Sequence, residues 1–427
     1  MRCSNDFRRL LLFMIVLPFC SSSNDTLRGT GRKITYPGGP GPNTLVSAGK
    51  RFELGFFSPN RISNSRRYVG IWYHGSDPLI IVWVANRNAP VVGRTASFGL
   101  LNGDLQLWND GQPIWSTNAT SSSSSTRFAK LLDTGNLVLM EDDGSKSILW
   151  QSFDQPTNTF LLWMRMTNDF KLTSWASQDD PKEGNFTFRR DQEGDTSKYE
   201  VIHNLSPYWK SGVFGKFIRA DEMFEVISFL LSNFTTTTGQ RLPPKTIIDE
   251  YSSARLVMNH DGQIQYFKRG DGSKPVWSQP AGRCGLFNAC SKFQSCNDKN
   301  GNGTMCRCLP GFELRPGGCL RKSPICGKNN TFLSLKMMKI GNPDNRIKVD
   351  GEEQCKQKCL NDCNCQAYSS EEDQRLGRDS GNSTCYTWSE DLDHMQELAR
   401  DGRSLYVRVL LSDIEPSSRS CGTCALI

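Results

Sequence analysis

The chain has no cysteine between Cys20 and Cys284 and only four histidines along its 427 residues. The first absence rules out disulfide stapling for more than half of the chain, so residues from about 25 to 280 must fold on hydrophobic burial alone. The second leaves His74, His203, His260 and His394 scattered, with no His-Glu-x-x-His or comparable ligand spacing for a catalytic metal. Neither a phosphate-cradling glycine loop nor the His-Arg-Asp and Asp-Phe-Gly elements of a kinase occur, and Gly29-Thr-Gly31 is only a short flexible stretch. No catalytic residues, cofactor or metal are therefore expected. Runs of like charge are missing as well: the net charge of +7, from 51 basic and 44 acidic residues, is spread along the chain and gives no nucleic-acid footprint.

Long apolar runs are also scarce. The longest near the N-terminus, Leu10 to Phe19, is about half of what a membrane span requires. Behind Arg2, Arg8 and Arg9 and ahead of Cys20 and Ser21 to Ser23, it has the layout of a secretory signal peptide over residues 1–23, in preference to an uncleaved anchor. Phe224 to Leu231 is interrupted by Glu225 and Ser228, so no membrane span is expected and a secreted, extracellular chain is. A chain of this length suits two to four domains in series.

Fourteen of the 16 cysteines lie from Cys284 onward. Six of them, Cys284, Cys290, Cys296, Cys306, Cys308 and Cys319, fall within 36 residues, too short a segment to offset its chain entropy by burial without crosslinks. Six cysteines allow fifteen connectivities. A zinc site is the rival reading, but the short Cys-x-x-Cys ligand pairs are missing. The segment, with Cys306-Arg-Cys308 followed by Leu-Pro-Gly-Phe312, resembles an EGF-like module. That resemblance implies the pairs Cys284 to Cys296, Cys290 to Cys306 and Cys308 to Cys319. The x3 spacing of Cys355, Cys359 and Cys363 predicts three cysteines one turn apart on one helical face. With Cys365, Gln366-Ala-Tyr368 and Cys385-Tyr-Thr-Trp388 the cluster resembles a PAN/apple module, which implies Cys355 to Cys385, Cys359 to Cys365 and Cys326 to Cys363. Cys421-Gly-Thr-Cys424 and the terminal Cys424-Ala-Leu-Ile427 invite a redox pair or a prenylation signal, but linker-like surroundings and an extracellular route favour a local structural disulfide.

Between residues 45 and 280, short apolar alternations such as Leu105 and Leu107, Leu137 and Leu139, and Phe186 and Phe188 are separated by turn signals including Asn102-Gly103, Asn109-Asp-Gly111, Thr134-Gly-Asn136 and Asp142-Asp-Gly144. These predict strands, with a helix only near Asp221 to Leu231. Trp72, Trp83, Trp108, Trp115 and Trp150 are expected core residues, and Gly55, Gly70, Gly103, Gly111 and Gly135 are expected at turns or close approaches. Five segments carry a resemblance: Phe52-Glu-Leu-Gly-Phe-Phe-Ser-Pro59, Tyr68-Val-Gly-Ile-Trp-Tyr73, Val82-Trp-Val-Ala-Asn-Arg87, Leu131-Leu-Asp-Thr-Gly-Asn-Leu-Val138 and Leu149-Trp-Gln-Ser-Phe-Asp-Gln-Pro-Thr157. Together they resemble the plant S-domain family of S-locus glycoproteins and G-type lectin S-receptor-like kinases. The resemblance implies a mainly β chain of tandem bulb-lectin-like β-prism domains followed by small disulfide-rich EGF-like and PAN/apple (α+β) modules. The corresponding segments are residues 24–152 (lectin-like), 153–280 (S-locus region), 281–320 (EGF-like), 326–410 (PAN/apple) and 411–427 (linker or tail). Leu162-Trp-Met-Arg165 departs from the family's Pro-Gly-Met followed by Lys or Arg, which predicts a different turn there.

Bulb lectins bind mannose through Gln-x-Asp-x-Asn-x-Val-x-Tyr. Here Leu132, Thr134 and Met140 replace the Gln, Asp and Tyr, leaving Asn136 and Val138 as the residual carbohydrate-binding candidates, and the repeat near Asn102, Asp104 and Gln106 is also degenerate. Each lost hydrogen bond removes about 0.5–1.5 kcal/mol. Eight glycosylation sequons occur; Asn24 abuts the expected cleavage site, and Asn118, Asn185, Asn204, Asn233, Asn302, Asn329 and Asn382 are candidate glycan sites. The resemblance implies a recognition glycoprotein for a peptide or protein ligand, with pollen-recognition, self-incompatibility or defence roles, and pairing with itself or a receptor-like kinase as a homodimer or heteromeric partner. It would sit at the plasma membrane if a longer gene product carries a span. A secreted mannose lectin is the alternative.

Overall fold

Paired left-handed residues reverse the chain where the sequence carries its turn signals. Asn102 and Gly103 take φ of 50° and 78°, and Asp110 and Gly111 take 47° and 80°. Two consecutive positive φ values make a type I′ turn, whose twist matches that of antiparallel strands, and glycine adopts the second without steric cost. The computed structural model describes residues 24–29, 32–36, 43–59, 66–93, 95–119, 126–143, 146–190, 199–211, 225–231, 253–268, 274–299, 305–326, 329–341, 343–372, 383–390, 392–398, 402–414 and 424–426. The chain forms two compact units, Met1–Gln155 and Pro156–Ile427.

Among its described residues the first unit holds three four-stranded antiparallel sheets. One joins β1 (Thr26–Arg28), β10 (Arg127–Leu131), β11 (Leu137–Glu141) and β12 (Ile148–Gln151). The second joins β2 (Lys33–Tyr36), β7 (Ala96–Leu101), β8 (Asp104–Asn109) and β9 (Gln112–Ser116). The third runs β3 (Thr44–Val46), β4 (Phe52–Phe57), β5 (Tyr68–Tyr73) and β6 (Ile81–Val84). Period-two patterning turns Leu105 and Leu107 fully inward while Asp104, Gln106 and Trp108 stay half-exposed. The last strand of each sheet contributes one tryptophan to a common triangle. Trp83 of β6, Trp115 of β9 and Trp150 of β12 meet edge to face, with ring centroids 6.1 Å, 6.0 Å and 5.8 Å apart for the pairs 83–115, 83–150 and 115–150. These contacts add to plain area burial, because the ring edge of one indole meets the negative face of another. Trp83 also donates its indole N–H to the Gln155 carbonyl at 2.9 Å. Trp72 is buried. The expectation of five core tryptophans is corrected to three buried ones: Trp115 stays half-exposed while packing in the triangle, and Trp108 occupies an outward position of β8, half-exposed, with the Lys33 ammonium 5.5 Å from its ring centre.

In the second unit, residues 156–280 hold two four-stranded sheets among the described residues. These are β13 (Thr159–Leu161) with β18 (Arg255–Met258), β19 (Ile264–Phe267) and β20 (Trp277–Gln279), and the meander β14 (Lys171–Ser177), β15 (Asp180–Arg190), β16 (Tyr199–His203) and β17 (Ser206–Lys210). The departure at Leu162 to Arg165 is a turn in which Trp163 takes φ of 76°, so a bulky residue adopts the backbone that suits the family's glycine. Helix α1 (Glu225–Leu231) falls within the segment expected to be helical and buries Ile227, Leu230 and Leu231, the spacing of one helical face.

The cysteine-rich part contains the hairpins β21 (Gln294–Cys296) with β22 (Cys306–Cys308) and β23 (Phe312–Arg315) with β24 (Gly318–Arg321). It is followed by β25 (Asn330–Lys339), β26 (Asn345–Val349), α2 (Glu352–Asn361), β27 (Ala367–Glu372), β28 (Ser383–Trp388), β29 (Met395–Glu397), β30 (Arg403–Leu410) and β31 (Cys424–Leu426). Two segments that read as separate modules in the sequence share one nine-stranded sheet, because β21 pairs in parallel with β29. They also share one core, in which Phe293, Leu309 and Phe312 pack with Leu333, Trp388 and Leu405. The expected helical face of three cysteines is corrected to two. Cys355 and Cys359 are buried on α2, whereas Cys363 lies exposed beyond its C-cap, Asp362. The helix ends there because the buried Arg408 guanidinium of β30 donates to the carbonyls of Cys359 (3.2 Å), Leu360 (3.1 Å) and Asp362 (2.8 Å), the groups a helix C-terminus leaves unpaired.

Candidate functional site

In the first unit, two hairpins place a polar residue directly after the turn, at the position where a sugar-binding amide would stand. Asn136 precedes β11 and is buried; its Nδ2 donates to Gln151 Oε1 at 2.8 Å, and its Oδ1 accepts from the Ser152 hydroxyl and the Phe153 N–H, each at 3.2 Å. Ser152 Oγ in turn accepts from the Leu137 N–H at 2.9 Å, and Gln151 Nε2 donates to the Asp154 carboxylate at 3.0 Å. The equivalent residue of the second sheet is Asp104. Its carboxylate accepts from the Ser116 and Thr117 hydroxyls and from the N–H groups of Asn118 (3.1 Å) and Ala119 (3.2 Å). Both residues thus tie the start of one strand to the chain leaving the last strand of the same sheet. Val138 is only 1% exposed, with Leu137 and Leu139 buried on either side, so both faces of β11 are covered. The carbohydrate candidates therefore sit close together, Asn136 just ahead of β11 and Val138 on it, with the amide engaged internally and the apolar side chain beneath the surface.

Among the described residues six disulfides staple the second unit: Cys284–Cys296, Cys290–Cys306, Cys308–Cys319, Cys326–Cys363, Cys355–Cys385 and Cys359–Cys365. The sulfurs of Cys290, Cys296 and Cys306 approach within 4.8 Å of one another, the spacing of a metal cluster, but each is bonded to another sulfur and offers no thiolate. Cys355–Cys385 fastens α2 to β28. Cys421 lies outside the described residues, as do residues 1–23. Of the sequons, Asn118, Asn185, Asn204 and Asn329 are exposed, whereas Asn233, Asn302 and Asn382 lie outside the described residues.

Charged groups buried in the second unit escaped the sequence reading. Glu200 pairs with Arg189 at 2.9 Å and Lys210 at 3.8 Å. Arg321 donates to the Arg408 carbonyl and to Gln366 Oε1 at 2.6 Å, and its guanidinium lies 4.5 Å from the Phe312 ring centre. Burial and the neighbouring Arg408 charge pull Arg321 down to about 10. Burial likewise pushes the Lys339 ammonium down to about 7, and lowers His394 despite the opposing Asp393 carboxylate. Period-two patterning gave no signal for Lys339 and Arg408, since their buried apolar neighbours Met338, Ile340, Val407 and Val409 point to the opposite face of the strand.

A family model described as D-mannose binding lectin matches residues 80–178, one described as S-locus glycoprotein domain matches 209–316, and one described as PAN-like domain matches 326–395. The lectin match begins beside β6 and runs past Gln155 into β14. A G-type lectin S-receptor-like serine/threonine-protein kinase of Arabidopsis thaliana is 44% identical over 395 residues, covering 87% of this chain and 45% of the relative. A receptor-like serine/threonine-protein kinase of the same plant is 33% identical over 432 residues, covering 94% of this chain and 49% of the relative. The chain therefore spans about half the length of these kinase relatives. An S-locus-specific glycoprotein of Brassica oleracea is 30% identical over 444 residues, and there the match covers 95% of this chain and 96% of the relative. With that end-to-end match, and with lectin, S-locus and PAN-like domains in this order, the chain belongs to the S-domain family of S-locus glycoproteins and G-type lectin S-receptor-like kinases.

Proposed function

We propose that the chain is a secreted, glycosylated recognition module that binds a peptide or protein ligand and carries out no chemistry of its own. It acts in extracellular recognition, of which the family resemblance implies pollen recognition or defence sensing, alone or beside a receptor-like kinase. Its segments are a lectin-like domain (24–152), an S-locus region (153–280), an EGF-like module (281–320) and a PAN/apple module (326–410). The observation that favours this reading over a mannose lectin is the internal commitment of Asn136 and Asp104. A polyol needs outward-facing donors and acceptors, and here those groups close their own sheets.

The test is a glycan array and a crosslinking capture of secreted plant peptides, both with the glycosylated full chain. The expected result is no specific mannose signal and saturable capture of a peptide. Specific mannose binding without peptide capture would sink the reading in favour of the lectin. Asn136→Ala is expected to cost about 2–3 kcal/mol of stability, because three hydrogen bonds at a buried site are lost, while leaving the array unchanged; thermal unfolding measures it.

A further inference from the structure

Strand β25 has one filled side and one shared side. On the first, β30 pairs with it from Asn330 to Met338. On the second, β29 reaches only Met338 and Lys339, while the short β31 pairs with Leu333, Ser334 and Leu335. Between these two lies a break in register, where Met337 takes φ of 57° and is 40% exposed. A left-handed methionine is costly, and such bulges recur where a strand re-aims its side chains beside a functional site. Next to this edge opens a cleft of about 710 Å³, walled by Leu309 and Leu335 and rimmed by the exposed side chains of Lys299, Arg307, Lys336 and Met337. Its two carboxylates already have donors. Glu397 accepts from the Ser295 hydroxyl at 2.8 Å and Asn297 Nδ2 at 2.6 Å, and Asp298 accepts from the Cys284 N–H at 3.1 Å. Three cations thus face the solvent where the anions are engaged.

We propose that the β25 edge and this cleft form a strand-addition site for an extended peptide with acidic side chains, and that residues 424–426 are its occupant in cis. An edge strand offers unpaired N–H and C=O groups that an extended chain satisfies whatever its sequence. Side chains of a strand added to a sheet alternate between its two faces, and the apolar walls and basic rim of the cleft beside Leu335 select the partner. The seated β31 shows that the edge accepts an added strand. The inference rests on the reading of a peptide ligand and adds where that ligand docks and what competes for the place.

The experiment uses the full chain with Ala425→Pro, which removes a backbone donor from the cis strand and lifts it from the edge. The probe is a fluorescein-labelled peptide of residues 420–427 carrying Cys421→Ser and Cys424→Ser, with and without two added glutamates. The variant is expected to bind the probe about tenfold more tightly than the unaltered chain. Amide exchange at Leu333 to Leu335 is expected to speed up in the variant and to slow again when the probe is added. N-methylation along the probe is expected to weaken binding at alternate positions only, since successive N–H groups of a strand point to opposite sides. The glutamates are expected to tighten binding at low salt, and Arg307→Ala to remove that gain. Leu426→Pro repeats the measurement should Ala425→Pro disturb the fold by near-ultraviolet circular dichroism. Unchanged exchange at Leu333 to Leu335 with bound probe, or equal sensitivity at every N-methylated position, overturns the proposal. A captured plant peptide that binds variant and unaltered chains equally also overturns it and leaves the proposed function standing. No captured peptide, with the probe still bound at the edge, sinks the proposed function instead.

Discussion

The first unit and the region from Cys284 to Leu410 are both β-rich, yet they reach a fixed fold by different means. The first has no cysteine between Cys20 and its end at Gln155, and it closes three sheets around Trp83, Trp115 and Trp150. The second combines the short hairpins β21–β22 and β23–β24 with longer strands and the helix α2, and among the described residues six disulfides hold them. Hairpins as short as β21–β22 and β23–β24 bury too little apolar area to offset their own ordering and lean on crosslinks and on the core they share with β25 to β30, whereas twelve strands in three sheets enclose a core without crosslinks. The means of closure therefore follows from how much surface each segment can hide.

Reduction is the widest way to separate the two. Each disulfide closes a loop and contributes roughly 2–4 kcal/mol, so thiol treatment under native conditions is expected to open residues 284–410 and leave the first unit intact. Hydrogen exchange followed by mass spectrometry reads both regions at once. Loss of protection over β4, β5 and β8 on reduction would break the comparison. The reverse perturbation is Trp83→Ala, which removes two edge-to-face contacts and the hydrogen bond to Gln155 and is expected to cost about 3–5 kcal/mol. Its loss of protection is expected to stay within the first unit. Gly70→Ala acts at the same wall: a methyl there would stand 2.6 Å from the Phe57 ring and 2.8 Å from the Trp83 carbonyl, so a loss of about 1–3 kcal/mol is expected by thermal unfolding.

The two regions also differ in how far the sequence revealed them. Turn chemistry was direct: Asn102-Gly103 and Asp110-Gly111 require a two-residue reversal, and the strands on either side follow from alternation. Family membership was legible from five motifs, and the structure gives two of them a physical meaning. Gly70 admits Phe57 and the Trp83 carbonyl, and Gln151 with Ser152 closes on Asn136. The sharing of one core by the two cysteine-rich segments was hidden, because it depends on the three-residue β29 reaching β21 from a hundred residues away. No local pattern encodes such a pairing. Trp108 was misplaced for a related reason: aromatic residues of a strand were credited to the core without fixing which face of β8 they occupy.

The disulfides are not the sole fastening in the stapled region. Arg408 carries three carbonyls from the end of α2 and sits 3% exposed beneath it. Arg408→Met keeps the apolar stem and removes the guanidinium donor from all three carbonyls, of which Asp362 keeps the Cys365 N–H at 3.1 Å, at an expected cost of about 2–3 kcal/mol even with all disulfides intact. Chemical denaturation under oxidising conditions measures it. A neutral result would mean that the crosslinks alone hold the helix.

The smallest expected effect is a pH dependence confined to the stapled region. Lys339 has its pKa lowered from 10.5 to about 7 by burial. Between those values the unfolded chain holds a proton that the native chain lacks, so unfolding takes up a proton and stability rises with pH from about 7 upward. Below about 7 both states are protonated and the contribution is flat. The slope is at most about 1.4 kcal/mol per pH unit, and less to the extent that water reaches the ammonium. His394, also lowered by burial, titrates below its ordinary 6.5 and stays out of this window. Unfolding midpoints of the second unit between pH 7 and 9 are expected to climb in the unaltered chain and to lose that climb in Lys339→Met. The first unit, whose core holds no such lysine among its described residues, is expected to show no matching slope. An equal slope in both units would trace the dependence to the surface charge of the whole chain and remove the contrast between them.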